Sequence, residues 1–131
     1  MKFDKEFFDE VSTLAKGSPR LRMNLDLRTN PNDSSQRMFN ALEPGTIIPI
    51  HRHLNSSETI IVIRGSLNEY LYDSQGKLLE TIHFVAGSNC IGMNIPKGQW
   101  HSLECLEANT IIFEAKDGFY KPLSSNEILK K

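Results

Sequence analysis

Three of the four histidines and one glutamate are spaced as the ligands of a metal ion would be. In the stretch IPIHRH, one residue separates His51 from His53. Side chains alternate across a β-strand, so both imidazoles would share one face and Arg52 would point away. Their Cα atoms would lie about 6.5–7 Å apart, which lets two imidazoles converge on one ion. Glu58 follows a short turn and can fold back beside them, and His101, after PKGQW, can enter the same face from a neighbouring strand.

This donor set suits a particular group of metals. Three neutral imidazoles and one carboxylate match the preferences of Fe(II), Mn(II), Ni(II), Co(II) or Zn(II). A six-coordinate ion held by four protein groups keeps two positions for water or substrate, as Lewis-acid catalysis requires. The alternative is an accidental pair, because a lone histidine on a strand is usually a polar surface residue, and we interpret His83 in that way. The spacing of the two histidines alone leaves both interpretations open.

The composition is that of an ordinary soluble domain. The 131 residues are 39% hydrophobic and 24% charged, which is enough for one hydrophobic core without disulfides. Lysine and arginine number 15 against 16 aspartates and glutamates, so there is no basic excess for a nucleic-acid partner. The charged start MKFDKEFFDE is unlike a signal peptide, and no apolar run reaches the length of a membrane span. Two cysteines, Cys90 and Cys105, are too few for a disulfide scaffold, so we expect a cytoplasmic protein with reduced thiols.

The first residues predict a helix. Its apolar stripe, at a period of 3.6 residues, consists of Phe3, Phe7, Phe8, Val11, Leu14 and Ala15. Asp4 can cap the N-terminus, and the sequence Gly17-Ser18-Pro19 ends the helix. We therefore expect residues 1–18 to form a helix that packs on the rest of the domain.

The remainder of the chain predicts strands. Nine short runs have strand character: 20–28, 36–42, 46–52, 58–64, 67–72, 77–84, 90–95, 101–106 and 110–115. Turn sequences such as EPG, LNSS, DSQG and PKG separate them. Many short strands without intervening helices indicate an antiparallel sandwich or barrel, so we predict an all-β domain over residues 19–123. The polar tail, residues 124–131, is expected to fray.

Polar residues on the first two strands are candidates for binding a substrate. If the polar face of the first strand lines a cavity, its guanidinium groups suit a carboxylate, a phosphate or sugar hydroxyls. If that face meets solvent, the same residues are an ordinary polar surface. The next strand opens with two polar residues, one of which must point inward. The candidates are Arg20, Arg22, Asn24, Gln36 and Arg37, and Asp26 shares the face of the first three.

Lys116 and Tyr120 follow the last strand and are the candidates for an acid/base group near the site. Packing within the loop is the alternative role for both. Trp100, beside His101, could stack on a sugar ring or lie in the core, and the core is the commoner position for a tryptophan.

The spacing of the histidines, the glutamate and several glycines resembles the two cupin motifs. The first motif is matched by Gly45, five residues, His51-x-His53, four residues, Glu58, six residues and Gly65, and the core of the second by Pro96-x-Gly98-x-x-His101. The resemblance implies a small antiparallel β-barrel, also called a double-stranded β-helix or jelly roll. It also implies one divalent transition metal ion (Fe, Mn, Ni, Co or Zn) inside the barrel, held by His51, His53, Glu58 and His101.

Four longer stretches are similar to the WbuC-type cupins, a family found in bacterial surface-polysaccharide (O-antigen) gene clusters. They are QRMFNALEPGTIIPIHRH, ETIIVIRGSL, PKGQWHSLE and IIFEAKDGFY. The resemblance implies a cupin-fold metalloprotein with a carbohydrate-related small-molecule ligand. The chain departs from the pattern at Asp26, where histidine is common, and at KDGFY, which replaces a KPGPY-like stretch. It also has Cys90 and Cys105 where the second cupin motif usually has glycine and asparagine.

The function implied by these resemblances is action on a sugar, a sugar nucleotide or a related polyhydroxylated metabolite. A metal-dependent isomerase or epimerase fits, and so does an Fe(II) dioxygenase, since cupins host many reactions. A sugar-binding module without turnover, a closed structural zinc site and a metal-free epimerase are the other hypotheses, and the filled ligand positions disfavour the last. Cupins often pair through exposed strand edges, so a homodimer is one expectation, and a strand edge covered by the leading helix is the alternative. We expect no nucleic-acid or membrane partner.

Overall fold

The computed structural model describes residues 1–130 as one helix and two antiparallel sheets. The elements are α1 (Lys5–Lys16), β1 (Arg22–Asp26), β2 (Ser35–Leu42), β3 (Glu58–Arg64), β4 (Ser66–Tyr72), β5 (Leu78–Val85), β6 (Gly92–Ile95), β7 (Trp100–Cys105), β8 (Thr110–Asp117) and a 3₁₀ turn at Ser125–Glu127. One sheet has the strand order β1-β2-β8-β3-β6 and the other has the order β5-β4-β7. The predicted all-β class is confirmed. The two sheets face each other as a jelly roll and do not close into one hydrogen-bonded barrel.

The helix α1 begins where the sequence predicts and covers the outside of the larger sheet. Asp4 caps it by accepting a hydrogen bond of 2.9 Å from the Phe7 backbone N–H. Phe8, Val11 and Ala15 of the predicted stripe pack on β1, β2 and β8 around Phe39, whose ring lies against those of Phe8 and Phe113. Leu14 is 57% exposed, so its place in the packed stripe was wrongly predicted. No helix within residues 1–130 is long and apolar enough to cross a membrane.

Strand pairing arranges the inward-facing side chains in layers between the two sheets. The rim layer contains Gln36, Lys116 and Glu58 from the larger sheet and Leu71 and His101 from the smaller one. The middle layer contains Met38, Glu114 and Ile60, with Glu69 and Leu103 opposite. The core layer contains Asn40, Ile112 and Val62, with Leu67 and Cys105 opposite. The interior therefore changes from polar at the rim and in part of the middle layer to largely apolar at the core.

One predicted strand, residues 46–52, is not formed, and that prediction was wrong. Only His51 makes ladder contacts in this segment, as isolated bridges with His101 and Ile128. Pro49 has no N–H to donate to a ladder. The carbonyl groups of residues 47 and 48 accept hydrogen bonds from side chains instead of from a strand.

Within the part of the tail that the structure describes, residues 124–130, the chain does not fray, contrary to the prediction; Lys131 lies outside the described residues. The Arg52 N–H donates to the Glu127 carbonyl at 2.9 Å, and the Leu129 N–H donates to the Ile50 carbonyl at 2.9 Å. Because the segment around His51 has no regular strand neighbour on that side, the tail satisfies its backbone groups. The tail therefore helps to position the residues that carry the first two histidines.

Gly65, the last residue of the first motif, carries the chain from one sheet to the other between β3 and β4. Its φ is 85°, in the left-handed region, and an added Cβ would lie 2.2 Å from the Thr110 Oγ1 atom. Only glycine meets both conditions without moving β8, so this motif position is needed for the jelly-roll crossover.

Candidate metal centre

His51 and His101 are held together by their own backbones. The His51 N–H donates to the His101 carbonyl at 3.0 Å, and the His101 N–H donates to the His51 carbonyl at 2.8 Å. This reciprocal bridge brings the centroids of the two imidazoles to 4.3 Å from each other. The predicted convergence of His51 with His101 thus comes from one bridge between a loop and β7.

His53 and Glu58 complete the cluster. The imidazole of His53 lies 5.2 Å from that of His51 and 5.7 Å from that of His101, measured between ring centroids. Glu58, the first residue of β3, places its Oε2 atom 3.0 Å from His101 Nε2 and 3.9 Å from His53 Nε2. One nitrogen from each of the three histidines lies within 4.8 Å of the other two.

The hydrogen bonds of the imidazoles leave nitrogen lone pairs available inside the cluster. Nδ1 of His51 contacts the Pro49 carbonyl and Nδ1 of His101 contacts the Gln99 carbonyl, each at 2.9 Å. A carbonyl only accepts, so each Nδ1 carries the proton, and Nε2 of the neutral His51 ring carries a lone pair. Nε2 of His101 lies 3.0 Å from the Glu58 carboxylate, where a metal ion would take the place of its proton. Nε2 of His53 is buried with no hydrogen-bond partner among the described residues. A divalent cation would satisfy these atoms, so the residues present fit a metal ion.

The surroundings keep His51, His53 and Glu58 in the protonation states that a metal requires. Burial, reinforced by the neighbouring histidine His101, lowers the pKa of His51 to about 4. Burial and the charge of Lys116 lower the pKa of His53 to about 4 as well. Burial opposes ionisation of Glu58, but its hydrogen bond with His101 and the charge of Lys116 outweigh burial and lower its pKa. Neutral imidazoles beside a carboxylate are the states that bind divalent metals.

The cluster forms one wall of a cavity of about 760 Å³ between the two sheets. Of the residues predicted for substrate binding or acid/base chemistry, the cavity is lined by Arg22, Asn24, Gln36, Lys116 and Tyr120. Arg20 is exposed and lies outside that lining, and Arg37 pairs with the Asp33 carboxylate at 3.1 Å. Trp100 is buried under the Arg52 guanidinium, 4.4 Å from the ring centroid, and also lies outside the lining.

The predicted residues differ in how they reach the cavity. The half-buried Lys116 places Nζ 4.0 Å from Glu58 Oε1, next to the histidines. Tyr120 is mostly exposed at the mouth, with the Arg28 guanidinium 5.3 Å from its ring centroid. Gln36 is buried and donates to the Gly118 carbonyl at 2.9 Å. Lys116 is therefore the better placed of the two acid/base candidates.

Sequence reasoning missed two acidic residues in the cavity, Glu69 and Glu114. Both occupy inward positions of their strands: Glu69 lies between the inward residues Leu67 and Leu71, and Glu114 lies between Ile112 and Lys116. A glutamate in the buried register of a strand is the signal that could have identified them, because buried carboxyls are rare without a partner or a function. Burial and the nearby charge of Glu58 raise the pKa of both groups.

Glu127 fastens the C-terminal segment to the loop that carries His53. Its carboxylate accepts hydrogen bonds from the backbone N–H groups of Leu54 at 3.0 Å and Ser124 at 3.1 Å. These two bonds, with one from the Ser124 hydroxyl, lower the pKa of Glu127 to about 2.

Replacing Glu127 with glutamine should therefore reduce the acid sensitivity of the fold. The folded-state pKa lies below the ordinary value of 4.5, so the carboxylate stabilises the wild type above pH 4.5 and loses this contribution as the pH falls towards about 2. Urea unfolding at a series of pH values should show a smaller loss of stability in Glu127→Gln, and a neutral-pH stability lower by about 1 kcal/mol. The exposed Glu80→Gln is the matched control. Equal acid profiles for wild type and Glu127→Gln would contradict this role.

Comparison with known proteins places the chain in a family. A family model described as "Domain of unknown function (DUF6016)" matches residues 3–84, more than half of the chain. The chain belongs to the DUF6016 family. No curated protein sequence matches this DUF6016 chain.

Solved structures similar to the DUF6016 chain are cupin-fold proteins. KdgF from Halomonas sp. has a TM-score of 0.62 and 14% identity, over 79% of this chain and 84% of KdgF. The capsular polysaccharide assembling protein CapF from Staphylococcus aureus has a TM-score of 0.63 and 20% identity, over 80% of this chain and 30% of CapF. A variant of oxalate decarboxylase OxdC from Bacillus subtilis has a TM-score of 0.60 and 23% identity, over 82% of this chain and 27% of OxdC. At these identities the likeness shows the cupin fold alone.

Proposed function

We propose that this DUF6016 protein is a mononuclear metal-binding cupin that binds or acts on a sugar, a sugar nucleotide or a related polyhydroxylated metabolite. The proposal rests on one observation: one nitrogen from each of three imidazoles and the Glu58 carboxylate converge on the wall of a large cavity. His51, His53, Glu58 and His101 would hold the ion. A divalent ion at such a site supplies Lewis acidity towards the oxygen atoms of a ligand.

The side chains around the cluster suit an oxygen-rich ligand. Arg22, Asn24 and Gln36 line the cavity with guanidinium and amide groups, which bind hydroxyl, carboxylate or phosphate oxygens. Lys116 lies beside Glu58 and is the group that we propose as the acid/base, with Tyr120 as a second donor at the mouth.

The biological setting that we propose is bacterial surface-polysaccharide biosynthesis, as in the WbuC-type cupins. The four sequence stretches similar to that family support it, and CapF, one of the similar structures, is described as assembling capsular polysaccharide. The choice of a transition metal is supported by the donor set and by the Mn(II) centres described for the oxalate decarboxylase of Bacillus subtilis. The cytoplasmic location and the homodimer stay predictions from the sequence.

Ligand binding that depends on the metal is the expected result for this function. Protein loaded with its divalent ion and protein stripped with EDTA would be mixed with a sugar, a sugar acid and a sugar nucleotide, and thermal unfolding recorded. At a ligand concentration of about 100 times Kd, binding adds about 2.7 kcal/mol to the unfolding free energy, so Tm should rise by several degrees in the loaded protein only. Equal shifts with and without metal, or no shift with any of the three compounds, would contradict the proposal.

The Lys116→Met variant separates turnover from binding. Because Lys116 is not one of the proposed ligands, the variant should keep its metal and bind the same compound. If Lys116 transfers a proton, turnover should fall by about 100-fold or more. Turnover that is unchanged in Lys116→Met would remove the lysine from the chemistry, and absence of turnover in wild type with binding retained would favour a sugar-binding module.

A further inference from the structure

Glu69 is a buried acidic residue whose carboxyl group lacks a partner. It lies on β4 with 1% of its surface exposed, and it lines the cavity. Its Oε2 atom is buried and accepts no hydrogen bond from any described residue. A buried carboxyl oxygen without a partner is costly to the fold, and few such atoms occur in native structures without a functional reason.

The strand register places Glu69 below the metal cluster. On β4, Leu71 pairs with His101 in the rim layer. Glu69 is the next inward-facing residue of β4 towards the core, and it pairs with Leu103. Successive inward positions are about 6.5–7 Å apart along a strand, so Glu69 lies about that far from the rim layer. Glu114, in the same middle layer, approaches from the larger sheet.

The charge balance of the middle layer defines what can bind there. Its acidic groups, the buried Glu69 and the half-buried Glu114, come from the two sheets. The described cations that line the cavity lie in the rim layer, in β1 and the loop after it, and in the segment after β8: Arg22, Arg28, Lys116 and Lys121. Burial, with the charges of Glu58 and Glu114, raises the pKa of Glu69 well above its usual range. A carboxyl group that keeps its proton offers one donor and one acceptor, which matches the hydroxyl group of an alcohol.

We propose that Glu69 is a specificity-determining residue that binds a hydroxyl group of the ligand in the middle layer, while the other end of the ligand lies against the histidines. This inference deepens the proposed function and rests on it. The inference assigns the ligand to polyhydroxylated compounds. At least one hydroxyl group of the ligand should lie about 7 Å from the oxygen that binds the metal, because successive inward positions on β4 are about that far apart. Unsubstituted fatty acids are disfavoured, because they would leave Glu69 without a hydrogen-bond partner.

The first test needs no ligand. Near-isosteric replacement in Glu69→Met removes the unpartnered carboxyl, so the metal-free variant should melt about 4 °C or more above the metal-free wild type. Glu80→Met, on the exposed face of β5, is the matched control and should leave Tm almost unchanged. A Tm of Glu69→Met below that of the wild type would show that Glu69 supports the fold, and would overturn the proposal.

The second test compares two probes on the metal-loaded protein by calorimetry: D-gluconate, which has a carboxylate and hydroxyls, and hexanoate, which has the carboxylate alone. Wild type should bind D-gluconate at least about 10-fold more tightly, and Glu69→Met should lose about 10-fold or more of that preference. Equal affinity of wild type for the two probes, binding of neither, or an unchanged preference in Glu69→Met would overturn the inference. Metal content separates the two hypotheses: a wild type without metal contradicts the proposed function, whereas a loaded variant with unchanged preference contradicts only the role of Glu69.

Discussion

Replacing His101 with alanine is expected to weaken metal binding by about 100-fold or more. His101 supplies one of the three converging nitrogens, and its Nε2 also contacts the Glu58 carboxylate at 3.0 Å. The variant thus loses a ligand and leaves a buried carboxylate without its nearest partner. Loss of a residue that only orients a metal-coordinating side chain already reduces metal affinity by about 10–100-fold. Loss of the coordinating side chain itself should reduce the affinity at least as much. Affinity would be measured by competition with a chelator of known strength.

His83 provides the matched control for this experiment. It is exposed on β5, and its Nδ1 contacts the Asn68 side chain rather than the cluster. His83→Ala should therefore keep the wild-type affinity for metal. Equal losses in His83→Ala and His101→Ala would indicate a general effect on folding, and equal retention would place the ion elsewhere in the chain.

Replacing Phe39 with alanine should reduce the unfolding free energy by about 3–5 kcal/mol. Its side chain is 4% exposed and packs between α1 and the outer face of the larger sheet. The rings of Phe3, Phe7, Phe8 and Phe113 all lie within 6.1 Å of its own, measured between centroids. Truncation leaves a cavity that these rings fill only in part. Urea unfolding gives the free energy directly.

The same experiment includes Phe119→Ala, because Phe119 is 61% exposed and should change stability by less than about 1 kcal/mol. A loss of less than about 1 kcal/mol in Phe39→Ala would mean that α1 is not docked as the structure shows. The effect bears on the cavity too, since β2 and β8 present their inner faces, with Gln36, Glu114 and Lys116, to the metal cluster.

The sequence was most informative where one physical rule dominates a segment. The 3.6-residue period of Phe7, Phe8 and Val11 predicted α1, and the alternation of inward and outward residues predicted the strands. The fold class followed from the number and spacing of these strands. The convergence of three histidines was implied by the resemblance to the cupin motifs, since the spacing of His51 and His53 alone left it open.

The sequence was misleading where backbone partners come from distant parts of the chain. Residues 46–52 alternate as a strand would, yet Pro49 and side-chain hydrogen bonds leave only His51 in a bridge. The tail has the composition of a frayed end, yet Leu129 pairs with Ile50. The local sequence pattern predicts neither the bridges of His51 nor the hydrogen bond between Leu129 and Ile50. Both depend on which backbone N–H and carbonyl groups the folded sheets leave without a partner.

The sequence also did not predict which inward-facing side chains share a layer between the two sheets. Glu69 and Glu114 were read only as members of strands, because their position relative to the histidines depends on the register between β4, β7 and β8. Register is set by the packing of whole sheets, and one residue of slip would turn each glutamate outwards.

The metal content of the wild-type protein tests the central claim most directly. Protein would be purified without a metal-affinity tag, treated with Fe(II), Mn(II), Ni(II), Co(II) or Zn(II), passed over a desalting column and analysed for elements. The cluster of His51, His53, Glu58 and His101 predicts about one divalent transition metal ion per chain. A protein that retains none of these ions would contradict the metal centre, and the cavity would then be that of a metal-free cupin.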